Sequence, residues 1–153
     1  MAIIDDFDKE ILKVVQRNCR VPSELIAEQV GLSASAVQRR LKKLRQEGVI
    51  RRETAIVEPD TFPETITFVT SVEIDRDNYT ALKQFNQWAQ SEERIQQSFY
   101  VTGDFDLVLI IKANSTKLYD QLIQSMMDKH PNIKRVNTQV VLDVPKQSLE
   151  LPL

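Results

Sequence analysis

Glycine is so scarce in this 153-residue chain that its three occurrences, Gly31, Gly48 and Gly103, mark the points where the backbone has to turn in ways other residues resist. Ahead of Gly31, the segment Ile4 to Asn18 carries Phe7, Ile11, Leu12, Val14 and Val15 at helical spacing, with Asp5 placed as its N-terminal cap and Asp8 in its first turn. A short second helix begins near Pro22, shows Leu25, Ile26 and Val30 on one side, and stops at Gly31. Gly31-Leu32-Ser33 then turns the chain, and Ser33 caps a third helix with Val37, Leu41 and Leu44 as its buried stripe and Gly48 as its stop. Two helices joined by a tight glycine turn, the second of them basic, form a helix-turn-helix.

The basic character is local. The formal net charge is -2, yet Ser33 to Arg52 holds Arg39, Arg40, Lys42, Lys43, Arg45, Arg51 and Arg52 against a lone Glu47. Such asymmetry suggests one segment built to meet an anion, with a solvated helix face as the alternative. With Val37, Leu41 and Leu44 inward, Ser35, Gln38, Arg39, Lys42, Lys43 and Gln46 point outward. Gln38 suits an adenine edge and Arg39 a guanine edge, while Ser33 and Ser35 at the helix start can bond phosphates or bases. Lys42, Lys43, Arg51 and Arg52 have the character of phosphate contacts. Arg40, on the flank of the stripe, has two readings, a structural ion pair or a phosphate contact. The acid-free outward face disfavours a purely protein-binding three-helix domain.

Beyond Ile50, residues Arg51 to Val57 read as extended, and Pro59 and Pro63 mark a linker, so domains are expected over 1–50 and 64–153 with a hinge over 51–63. Thr65 to Ile74 alternates as a strand. Asp77 is placed to cap a helix buried through Tyr79, Leu82, Phe85, Trp88 and Ala89. Ile95 to Thr102 and Phe105 to Lys112 read as strands around a two-residue type II′ turn at Gly103-Asp104. A helix buried through Leu118, Leu122, Ile123, Met126 and Met127 and ended by His130-Pro131 follows, then a strand from Ile133 to Val144. The fold class is α+β: a three-helix, winged-type helix-turn-helix domain, an extended hinge and a βαββαβ ferredoxin-like domain. Val108 and Ile110 oppose Leu107, Leu109 and Ile111, so the sheet is apolar on both faces and calls for cover by another subunit.

Other classes fit poorly. Cys19 and His130 are single and far apart, which leaves no metal-ligand spacing and no disulfide framework, and no cofactor is expected. Asp104 and Asp106 have no nucleophile or histidine beside them, so no catalytic residue is assigned. An RNA-binding sheet would carry exposed aromatics beside basic residues, whereas this one is mostly aliphatic in an acidic domain. The acidic N-terminus and short apolar runs predict a cytoplasmic protein without a membrane partner.

The element order resembles that of the leucine-responsive and asparagine regulator (Lrp/AsnC) family of transcription factors over essentially the whole chain. The resemblance rests on Ile4-Asp5-Asp6-Phe7-Asp8, Val30-Gly31-Leu32-Ser33, Glu47-Gly48-Val49-Ile50, Gly103-Asp104-Phe105-Asp106, Thr138 to Leu142 and Leu151-Pro152-Leu153. It implies a homodimer joined through its sheets, assembled further into tetramers or octamers, that binds double-stranded promoter DNA and responds to an amino-acid effector. The effector site it implies lies near the hairpin loop and takes in Tyr100, Thr102, Gly103, Asp104, Phe105, Asp106 and Thr138. Asp104 or Asp106 would hold the effector's ammonium, with Thr102, Thr138 and loop amides for its carboxylate. The alternative for each acid is a plain structural role, Asp104 as a turn former and Asp106 as a strand-edge charge. An effector-independent regulator or DNA-organising protein is the alternative for the whole.

Overall fold

The computed structural model describes residues 3–58, 61–75 and 79–153. Contacts divide the chain into two compact units, residues 1–57 with 146–153, and residues 58–145.

The first unit holds three helices, α1 (Asp6–Val15), α2 (Ser23–Val30) and α3 (Ala34–Gln46). Asp5 caps α1 by accepting the Asp8 amide at 2.8 Å, and the Asp8 carboxylate accepts the Asp5 amide at 3.3 Å, a reciprocal capping box. Gly31 ends α2 in the left-handed region (φ 71°, ψ 35°), with open space around its Cα, so the backbone conformation alone selects glycine there. Ser33 then caps α3 through the Ala36 amide at 3.2 Å. Ile11, Val15, Ile26, Ala27, Val37 and Leu41 close the core between the helices, and Leu44 is buried as well. Leu25 and Phe7, expected inside, are partly exposed, and Ala27 takes the inward position on α2. The chain's closing segment also belongs to this unit. The Gln16 side-chain amide donates to the Leu151 carbonyl at 3.0 Å and accepts the Leu151 amide at 2.9 Å, and Arg17 pairs with Glu150 at 3.1 Å. Residues 51–57 form no strand.

The second unit runs β1 (Ile66–Ile74), α4 (Tyr79–Ser91), β2 (Ile95–Tyr100), β3 (Leu107–Ala113), α5 (Thr116–Lys129) and β4 (Ile133–Val140). All pairs are antiparallel and the strand order is β2-β3-β1-β4, the ferredoxin-like arrangement. Burial alternates along β1 and β3, with Phe68, Thr70, Val72, Ile74, Leu107, Leu109 and Ile111 fully inside against Phe85, Leu122 and Met126 of the helices. The opposite face carries half-buried Val69, Val108 and Ile110 beside exposed Phe99, mixed with Thr67, Ser71 and Gln97. The apolar second face is thus confined to a central stripe.

Three local expectations change. Helix α5 buries Tyr119 in place of Leu118 and Met127, because the Tyr119 ring stacks on Phe68 (centroids 3.9 Å apart) and its hydroxyl reaches Thr70 at 2.8 Å. Strand β4 ends at Val140, four residues short of Val144, where its pairing with β1 runs out at Phe68 and a last bond from the Val141 amide to the Thr67 carbonyl. Strands β2 and β3 are joined by residues 101–106 and not by a two-residue turn. The predicted cap Asp77 and the Tyr79 side chain lie outside the described residues.

Candidate nucleic-acid and ligand sites

Helix α3 turns Val37, Leu41 and Leu44 into the core, and this rotation leaves Ser35, Gln38, Arg39, Lys42, Lys43 and Gln46 exposed. Among the described residues, Gln38, Arg39 and Lys42 make no side-chain hydrogen bond or ion pair, and Arg51 and Arg52 are likewise exposed and unpaired. Lys43 has only a loose contact with Glu47 at 3.9 Å. The hydroxyls of Ser33 and Ser35 share a hydrogen bond of 3.2 Å at the helix start. Such a face keeps its donors hydrated and available, which is what a charged, groove-bearing polymer requires.

Arg40 departs from this set. Its guanidinium donates to Asp5 at 2.7 Å and to Asp8 at 2.8 Å and lies 5.6 Å from the Phe7 ring centroid. Asp8 is 3% exposed, so the pair joins a buried carboxylate of α1 to α3. The Asp8 hydrogen bond, then that of Asp5, holds the Arg40 guanidinium above its ordinary range. The Asp8 amide, then Arg40, holds the Asp5 carboxyl below its own. Of the two readings of Arg40, this geometry is that of the structural ion pair.

Residues 101–106 form the second site. The Val101 amide donates to the Asp106 carbonyl at 2.8 Å and closes the loop, while Gly103 turns it at φ 116°. Tyr100, Thr102, Gly103 and Asp104 are exposed, Phe105 is half-buried and Asp106 is 2% exposed. The Asp106 carboxylate accepts the Ile74 amide at 2.9 Å, and its own amide donates to the Val72 carbonyl at 3.0 Å. The pairing of β1 with β3 ends at Val72 opposite Leu107, so Asp106 takes up a backbone donor of β1 just past the end of that ladder. It therefore ties the loop to β1, which leaves Asp104 as the exposed carboxylate of the loop. Thr138 is also engaged: its hydroxyl bonds to that of Tyr119. In register it faces Thr70, whereas the loop meets β1 at Val72 and Ile74. The residue of β4 brought to the loop is Arg135, whose guanidinium carbon lies 4.7 Å from the Phe105 ring centroid. The sequence carries no local sign of this contact, because it depends on the cross-strand register.

No three of the described histidines, cysteines, aspartates and glutamates cluster as a metal site, and no described helix is long and apolar enough to cross a membrane.

An exposed basic helix on a helix-turn-helix unit, followed by a ferredoxin-like unit with a tethered polar loop, defines a DNA-binding regulator with a separate ligand-binding domain. Residues 4–51 match the winged helix-turn-helix DNA-binding family and residues 67–151 match the Lrp/AsnC ligand binding domain. The chain belongs to the Lrp/AsnC family of transcriptional regulators. It is 33% identical over 150 residues to an uncharacterized HTH-type transcriptional regulator of Sinorhizobium fredii, covering 98% of this chain and 89% of that one. It is 28% identical over 148 residues to the leucine-responsive regulatory protein of Escherichia coli, covering 97% and 90%. Among solved structures, an AsnC family transcriptional regulator from Agrobacterium tumefaciens aligns with TM-score 0.86 and 26% identity, covering 97% of each chain. A Neisseria meningitidis transcriptional regulator in complex with L-Met aligns with TM-score 0.85 and 25% identity, covering 98% of this chain and 97% of that one. These relatives are named as regulators of transcription.

Proposed function

We propose that α3 reads DNA in the major groove, with Gln38 and Arg39 on base edges, Ser33 and Ser35 at the groove entrance, and Lys42, Lys43, Arg51 and Arg52 on phosphates. The observation that carries this reading is the outward face of α3, where Gln38, Arg39 and Lys42 stand exposed without acidic partners among the described residues and Lys43 has only a loose contact with Glu47. Pairing of two chains through the central apolar stripe of the sheet supplies two such helices, as a two-fold DNA site demands, and such dimers associate further. An amino acid bound at the 101–106 loop, with Asp104 on its ammonium, shifts that association and so the spacing of the helices on DNA. The leucine-responsive relative and the L-Met complex support an amino acid as the effector class.

Arg39→Ala tests the reader assignment. Binding to a duplex selected from a random pool weakens by about 1–3 kcal/mol, with loss of preference at one base pair. A variant that selects the same sequence with unchanged affinity removes Arg39 from the reader set.

A further inference from the structure

We propose that Arg135 is the carboxylate anchor of the ligand loop, its guanidinium binding the α-carboxylate of the amino-acid effector while stacked on Phe105. This role rests on the effector reading above and adds a binding residue outside the loop.

An amino acid brings one anionic and one cationic group, and each needs a partner of opposite charge when it leaves water. The loop itself offers Asp104 and Asp106 and no cation, so a carboxylate approaching it alone meets like charge. Two of the loop amides are already committed, Val101 to the Asp106 carbonyl and Asp106 to the Val72 carbonyl. Arg135 is the cation that the sheet register brings to the loop. Its Nε contacts Glu73 at 3.3 Å, across the β1–β4 pair, while its two terminal nitrogens bond to no other described residue. Those nitrogens present the planar fork that matches a carboxylate bidentately. The Phe105 ring at 4.7 Å and Glu73 together restrain the guanidinium, so less conformational freedom is lost on binding. The side chain is 58% exposed, open to a ligand from solvent. A purely structural cross-strand pair would explain the Glu73 contact and would leave ligand chemistry untouched.

The test compares each of the twenty L-amino acids with its carboxamide, by thermal shift and calorimetry on the full chain, in wild type and in Arg135→Gln and Arg135→Lys. In wild type the effector binds about ten- to a hundredfold tighter than its amide, the scale of a charge-assisted hydrogen bond. Arg135→Gln erases that preference while amide binding stays within about twofold, and Arg135→Lys, which keeps the charge without the fork, restores part of it. An Arg135→Gln protein that still prefers the acid over the amide as wild type does overturns the assignment. Wild type that binds none of the twenty overturns the effector reading itself, and this inference with it.

Discussion

Arg40→Ala separates the architecture of the first unit from its contacts with DNA. In the structure the Arg40 guanidinium, 27% exposed, bonds to Asp8 at 2.8 Å, whose side chain is 4% exposed, and to Asp5 at 2.7 Å, whose side chain is 49% exposed. A charge-assisted bond to a buried carboxylate such as Asp8 contributes about 1.5–3 kcal/mol, whereas the pair with the solvent-exposed Asp5 is screened and adds little. Truncation leaves the Asp8 carboxylate with the Asp5 amide alone among its described side-chain contacts, so the expected loss is about 2–4 kcal/mol. At about 4–8 °C per kcal/mol for a unit of this size, the first unit melts on the order of 10–30 °C lower by circular dichroism. The contribution also has a pH signature. The Asp5 carboxyl titrates below its ordinary value of 3.8, so its share of the stability is present above that value and is lost as pH falls through the lowered folded value. DNA affinity measured well below both melting temperatures retains its salt dependence, because no phosphate contact is removed. The structural role of Arg40 is refuted if Arg40→Ala melts with wild type while the slope of log affinity against log salt falls by about 0.9, the signature of one lost phosphate contact.

Asp106→Ala strands the Ile74 amide in the interior and costs the second unit about 1–3 kcal/mol in a denaturant titration, whereas Asp106→Asn keeps an acceptor and loses much less. Equal stability of Asp106→Ala and wild type would show that the carboxylate does not hold the loop to β1. His130 packs against Phe85 and Trp88, its Nε2 is buried without a partner among the described residues, and burial, then the Lys129 charge, pushes its pKa below 6.5. The unfolded chain therefore binds the proton more readily than the folded one. Stability that is full above pH 6.5 declines as pH falls through the lowered folded value. Melting curves between about pH 8 and pH 5 show this slope in wild type and a shallower one in His130→Phe. Identical slopes would exclude His130 as its source.

Features whose partners are near in sequence are legible in the amino-acid order itself. The spacing Asp5 to Asp8, the left-handed Gly31 and the Ser33 cap all act within one turn of backbone, and they phase α3 so that Gln38 and Arg39 face outward. The ferredoxin-like order follows from alternation and punctuation in the same way. What the sequence hides depends on distant partners. Tyr119 and Leu118 compete for the inward position on α5, and only the Phe68 ring and the Thr70 hydroxyl favour Tyr119. Asp106 reads as a surface acid until the Ile74 amide of β1, 32 residues away, supplies its donor. Arg40 is open between two roles in the sequence because Asp8 lies across the first unit. Arg135 reaches the loop only through the β1–β4 register, which no periodicity within β4 discloses.

That one chain joins DNA reading by α3 to amino-acid sensing at the 101–106 loop is tested most directly by the fluorescence anisotropy of a labelled duplex, selected by the protein from a random pool, titrated with and without each of the twenty amino acids. The expected result is a selected consensus and one amino acid, or a small group of related ones, that changes affinity or cooperativity by about 5–150-fold, the usual span of coupling between two sites. A chain that binds every duplex alike, or whose binding to the selected duplex is indifferent to all twenty, contradicts it.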